Sequence, residues 1–123
     1  TAVIRRDVYE AIGGFNEAMR QGEDYDFWLK ASRICEMHAL DAPVALYRIH
    51  GASAMHRLSD ENHLSTLLVS ASMRWGLTAP HGDHLTAQQF NQRLAQVAFD
   101  HGYTHFWHGK RDIARKHFLI AVK

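Results

Sequence analysis

Cysteine is almost missing from this chain. Cys35 is the single one among 123 residues, so no disulfide can form within it. That usage agrees with a reducing compartment, and the expected setting is cytoplasmic, with a peripheral position at the inner face of a membrane left open. No apolar run approaches the length of a membrane span, and no signal peptide is visible. No charge of one sign dominates: the formal net charge is +1 with histidines neutral. Nothing in this balance argues for the basic footprint of a nucleic-acid binder or a polybasic membrane anchor. An initiating methionine is also lacking, and Ala2-Val3-Ile4 runs straight into patterned sequence, as expected of a segment excised from a longer protein.

What is present is ordinary in bulk and unusual in detail. The hydrophobic fraction of 46% suits a globular chain, enough for one small domain or pieces of two. Histidine is the outlier, with 10 residues scattered from His38 to His117. His101, His105 and His108 would share a face of a continuous helix, and His81-Gly82-Asp83-His84 makes a second cluster. Neither has a recognisable zinc spacing, so a solvated face is the expectation for both.

The chain is organised around Gly13-Gly14-Phe15-Asn16-Glu17 and Gly22-Glu23-Asp24-Tyr25-Asp26-Phe27-Trp28. Before them, Asp7 with Glu10 three residues on has capping-box spacing, and Val8, Ala11 and Ile12 give a short helix an apolar face. Gly13-Gly14 ends it, since glycine accepts the left-handed conformation of a helix C-terminus. A second helix is expected from Asp24 to Ile34, with Phe27, Trp28, Ala31 and Ile34 on one face. Glu23, Asp24 and Asp26 lie where backbone N–H groups are unpaired and the dipole favours negative charge. Two readings of these carboxylates stand side by side. Asp24 or Asp26 is a helix cap, or one of them is a positioned catalytic base. Trp28 likewise reads as core or as a platform for a sugar ring.

Strands are expected at Ala2-Val3-Ile4, at Met37-His38-Ala39-Leu40 and, best of all, from Val44 to Ile49 between Pro43 and Gly51. In the last, Leu46, Arg48 and His50 would share a face. After about Arg57 helical periodicity takes over. Ser59 is expected to cap a helix carrying Leu64, Leu67, Leu68, Ala71 and Trp75, which Gly76 ends. Thr86 and Gln89 form a capping box for a helix running through Gly102 to His108. Gly109 stops it, and a last helix spans Arg111 to Val122 with Ala114, Phe118 and Ala121 inward.

Taken in order, Arg5-Arg6, the Gly13 to Glu17 run, the Gly22 to Trp28 run and Tyr47-Arg48-Ile49-His50-Gly51-Ala52-Ser53 resemble the C-terminal part of the catalytic domain of family 2 glycosyltransferases of GT-A fold. The resemblance implies a metal-dependent enzyme that moves a sugar from a nucleotide-sugar donor to a hydroxyl on a glycan, as in polysaccharide biosynthesis, or on a lipid-linked or protein acceptor. It implies inversion. Asp24 aligns with the family's general base. Gly13, Gly14 and Glu23 align with substrate-side positions, and Arg48 and Ser53 with positions near the donor diphosphate. His50 aligns with a histidine that completes a divalent metal site, for Mn or Mg. The family's donor-binding half and its metal-carrying Asp-x-Asp lie upstream of these motifs. Asp24-Tyr25-Asp26 matches those letters but sits in the acceptor-side motif, so this piece alone is expected to be inactive.

The expected fold is therefore an α+β fragment. Residues 1–57 would be the acceptor-side end of a GT-A domain, with short strands and two helices. Residues 58–123 would be an all-helical appendage. In it Gly102, Gly109, Ala114, Phe118 and Ala121 resemble the spacing of one tetratricopeptide-type helix pair, a generic helical hairpin being the plain alternative. A non-catalytic interaction module is the competing function. Exposed apolar faces could also pair two copies of the chain.

Overall fold

In a computed structural model, residues 2–46, 48 and 58–122 are described. Their secondary structure is helical: α1 Arg6–Ile12, α2 Glu23–Ala31, α3 His63–Trp75, α4 Ala87–Trp107 and α5 Arg111–Ala121. The chain divides into two compact units, Thr1–Leu58 and Ser59–Lys123.

The expectation of an α+β fragment fails here. Among the described residues there is no strand, only an isolated antiparallel bridge between Thr78 and His84. The described residues of the segments with strand patterning run as open chain. Val3 is 97% exposed and Leu46 104%, so neither stands against a sheet face. A strand satisfies its N–H and C=O groups only through a neighbour, and alternation of apolar residues supplies none by itself. Tyr47 and Ile49 of the best expected strand, and His50 after it, lie outside the described residues.

In the first unit α1 packs on α2. The expected capping box does not form. The N-cap is Arg5, in extended conformation, with no side-chain hydrogen bond to the helix. Asp7 lies inside the first turn and pairs with the Arg5 guanidinium, which holds its carboxyl below the ordinary range. A charged partner two residues away outcompetes a backbone N–H. The C-terminus follows the sequence. Gly13 takes φ 85°, and the Gly14 N–H reaches back to the Tyr9 carbonyl at 3.2 Å. The core of this unit is Phe27, 1% exposed, with Ala31 beside it. Phe15 lies 4.7 Å from the Phe27 ring, Trp28 5.0 Å and Tyr9 5.8 Å, centroid to centroid.

The second unit is built on α4 and α5, which make the most extensive helix contact. Thr86 and Gln89 form both halves of the capping box: the Gln89 N–H donates to Thr86 Oγ1 at 3.1 Å, and the Thr86 N–H to Gln89 Oε1 at 2.8 Å. The helix then runs unbroken through Gly102. Gly109, at φ 77°, makes the turn into α5. The cap of α3 is Asn62 rather than Ser59. Its amide oxygen accepts from the Ser65 N–H at 3.1 Å while its nitrogen donates to the Val97 carbonyl of α4 at 3.2 Å. One side chain thus both caps a helix and ties it to its neighbour. Ser59 instead accepts from the Glu61 N–H and hydrogen-bonds His63.

The histidines of α4 do not form a solvated face. His105 is fully buried, His117 of α5 is 6% exposed, and His101 is half-buried. Only His108 turns outward, where its ring donates to the Thr104 carbonyl at 2.8 Å. The second cluster is exposed, with His84 held to the Thr78 hydroxyl at 2.9 Å.

Candidate functional site

The site residues named from sequence fall mostly on the first unit. Gly13 and Gly14 close α1, and Glu23, Asp24 and Asp26 open α2. Phe15, between the two runs, stacks on Phe27 and fixes the chain that joins them. The glycines differ in their surroundings. At Gly13 the direction a Cβ would take is open, whereas at Gly14 it points at the Tyr9 ring, 2.8 Å from the hydroxyl oxygen. Gly14 is buried beneath that ring.

The three carboxylates are sorted by the helix. The N-cap of α2 is Gly22, at φ 80°, with no side-chain cap, so neither Asp24 nor Asp26 caps the helix. Both lie within its first turn, where their charge still opposes the positive end of the dipole. Asp26 is engaged: Lys30, one turn on, donates to its Oδ2 at 2.6 Å, and the two side chains are only 17% and 27% exposed. Asp24 is exposed and, among the described residues, accepts only from the adjacent Tyr25 N–H, at 2.8 Å. Among the described residues no basic side chain pairs with it. A carboxylate in that state keeps its lone pairs for an incoming hydroxyl. Glu23, beside it, is half-buried. Trp28 is half-buried against the edge of Phe27, as a core residue would be.

Arg48 is exposed. Ser53 and His50 lie outside the described residues. Among the described residues no group of three His, Cys, Asp or Glu side chains could hold a metal ion. The divalent cation implied by the resemblance therefore has no site among them. No described helix is long and apolar enough to cross a membrane.

Comparison with known proteins gives a partial answer. No family model matches the chain, and no solved structure matches it. An "Uncharacterized glycosyltransferase" of Rickettsia felis is 30% identical over 69 residues, 56% of this chain and 12% of the relative. One from Rickettsia conorii is 29% identical over 63 residues, 51% of this chain and 10% of the relative. Both relatives are named as glycosyltransferases, and the chain is distantly similar to a part of each. The chain spans about a tenth of the length of the curated relatives it matches.

Proposed function

We propose that the first unit is the acceptor-side part of a family 2 type glycosyltransferase, with Asp24 as its general base. The observation that carries this reading is the contrast within α2: Asp26 is spent on Lys30, while Asp24 is exposed with only its neighbour's N–H. The names of the Rickettsia relatives support the class. In the proposed reaction the Asp24 carboxylate takes the proton of an acceptor hydroxyl as that oxygen bonds to the anomeric carbon of the sugar. The bond from that carbon to the diphosphate breaks, and the nucleoside diphosphate leaves with the electron pair. Attack from the face opposite the leaving group inverts the centre. Glu23, Gly13, Gly14, Arg48 and Ser53 are the proposed substrate-side residues. A divalent cation, Mn or Mg, belongs to the proposal only through His50 and upstream residues, and Asp24's role does not depend on it. A nucleotide-sugar donor fits a cytoplasmic enzyme.

The test is Asp24→Asn in the longer protein that contains this chain. Asn keeps the shape and the hydrogen bond to the Tyr25 N–H but cannot take a proton at neutral pH. Removing a general base lowers the rate by about 10²–10⁴-fold. Turnover within a factor of a few of the parent would refute the assignment. A second reading concerns the other unit. On α4, Phe99, Tyr103, Phe106 and Trp107 are all 47% or more exposed, a surface suited to a binding module. Partner capture by the whole chain that persists in Asp24→Asn would favour that reading for the second unit.

A further inference from the structure

Three imidazoles meet where α4 packs on α5. The ring of His101 lies 4.5 Å from that of His105 and 4.4 Å from that of His117, centroid to centroid. Each ring keeps a buried nitrogen with no hydrogen-bond partner: Nε2 of His101, Nδ1 of His105 and Nδ1 of His117. The tautomer of His105 follows from its one bond. Its Nε2 lies 2.9 Å from the Ser59 carbonyl, which can only accept, so Nε2 carries the hydrogen and the neutral ring leaves Nδ1 bare. The arrangement suits neutral rings in van der Waals contact. A further proton on His101 would place an N–H with no acceptor beside two like rings.

One nearby carboxylate offsets this in part: Asp60 is attracted to His105 and His101, though less than to Lys110. From the segment before α3, the Asp60 carboxylate is already paired with Lys110 of the turn. The Asp60 backbone offers His101 a hydrogen bond, which favours its protonated form. Against this stand burial first and then His117, His105 and, from α3, His63, and the net effect lowers the His101 pKa below the ordinary value. On α5, burial first and then Lys116 and His105 lower that of His117. Among the described residues no group of three His, Cys, Asp or Glu side chains is arranged to hold a metal ion.

We propose that His101 and His117, packed together against His105, form a pH-sensitive latch between α4 and α5, closed when their two rings are neutral and released when they take up protons. The direction is set by linkage. A histidine whose pKa is lower folded than unfolded leaves stability unchanged at high pH. As pH falls below about 6.5 the unfolded chain takes up the proton first, and stability drops until the folded group titrates too. The latch thus weakens in mild acid, and it opens the contact that buries Ala98, Gly102 and Ala114.

The test uses the whole chain. Histidine ring signals are followed by NMR from pH 8 to 4.5, and amide exchange of α4 and α5 is measured at pH 7.5 and 5, corrected for intrinsic rates. The expected result is that His101 and His117 titrate below free histidine. Exchange across both helices then rises by about tenfold for each pKa unit of that separation. In the double variant His101→Gln, His117→Gln this rise should disappear. Titration at or above the free value would overturn the proposal. So would an equal pH response in the double variant. Should that variant fail to fold, the wild-type titration decides alone.

Discussion

Replacing Gly102 by alanine should destabilise the second unit, although alanine is the better helix former. Gly102 lies in the interior of α4 and is buried against α5. A Cβ built there would stand 3.0 Å from Phe118 Cδ1, 3.1 Å from its Cε1 and 3.1 Å from the Ala114 carbonyl oxygen. Two effects oppose each other. Alanine is favoured over glycine by about 0.8–1.0 kcal/mol in a helix interior. Overpacking a closed contact costs about 1–3 kcal/mol. The Phe118 ring is half-buried and can give by a few tenths of an ångström, but the Ala114 oxygen belongs to the backbone of α5 and moves only with that helix. Strain should therefore win, with a net loss of about 1 kcal/mol. For a unit of this size that is a fall of about 4–8 °C in Tm.

The assay is urea unfolding read from the amide signals of α4 and α5, so that the first unit does not enter the measurement. Phe118→Leu separates the two contacts, because it removes the ring but not the backbone oxygen. In a double-mutant cycle Gly102→Ala should cost less when combined with Phe118→Leu than it does alone. A stabilisation near 1 kcal/mol by Gly102→Ala alone, the full helix-propensity gain, would refute the reasoning. It would mean that the two helices do not approach as closely as the Gly102 contact requires.

Thr86→Ala removes the side-chain half of the α4 capping box that accepts from the Gln89 N–H, and the expected loss is about 1 kcal/mol by urea denaturation. Gly14→Ala places a side chain at φ 77° and against the Tyr9 ring. It should destabilise the first unit by about 1–2 kcal/mol, visible as faster amide exchange in α1 and α2. Gly13→Ala meets no neighbour, so its penalty should be that of the left-handed backbone alone.

What could be read from the sequence was local. The Thr86–Gln89 box, the Gly13 stop and the Gly109 turn each depend on residues within a few positions of one another, and each is present. The strands required a second strand elsewhere, which the alternation from Val44 onward cannot supply, so the α+β expectation failed. Asp7 and Ser59 failed as caps for another reason: Arg5 takes the Asp7 carboxylate, and Asn62 rather than Ser59 stands at the start of α3 and accepts from the Ser65 N–H. The histidine cluster was missed although a signal existed. Ala114, Phe118 and Ala121 were expected to face inward, and His117 shares that face, three residues after Ala114. Likewise Ala98, His101 and His105 follow one another at helical spacing on α4. A histidine on an apolar stripe should have been placed in the core with the rest of the stripe.

The same spacing logic bears on the candidate base. Asp24 and Asp26 are the same residue type, two positions apart, on one turn of one helix. Their states differ because position 30 is lysine and position 28 is tryptophan. Side chains four apart on a helix are neighbours, so Asp26 meets the Lys30 cation, whereas position 28 offers Asp24 no charged partner. The pair with Lys30 is only partly exposed, which makes Asp26 a part of the fold's own electrostatics. Asp24 contributes nothing comparable to packing or pairing among the described residues, being exposed beside the positive end of the α2 dipole. Ion pairing within the helix therefore separates a structural carboxylate from one available for chemistry. Asp24→Asn should accordingly leave the unfolding transition of the first unit nearly unchanged. A loss of stability comparable to that from breaking the Asp26–Lys30 pair would show that Asp24 is structural after all.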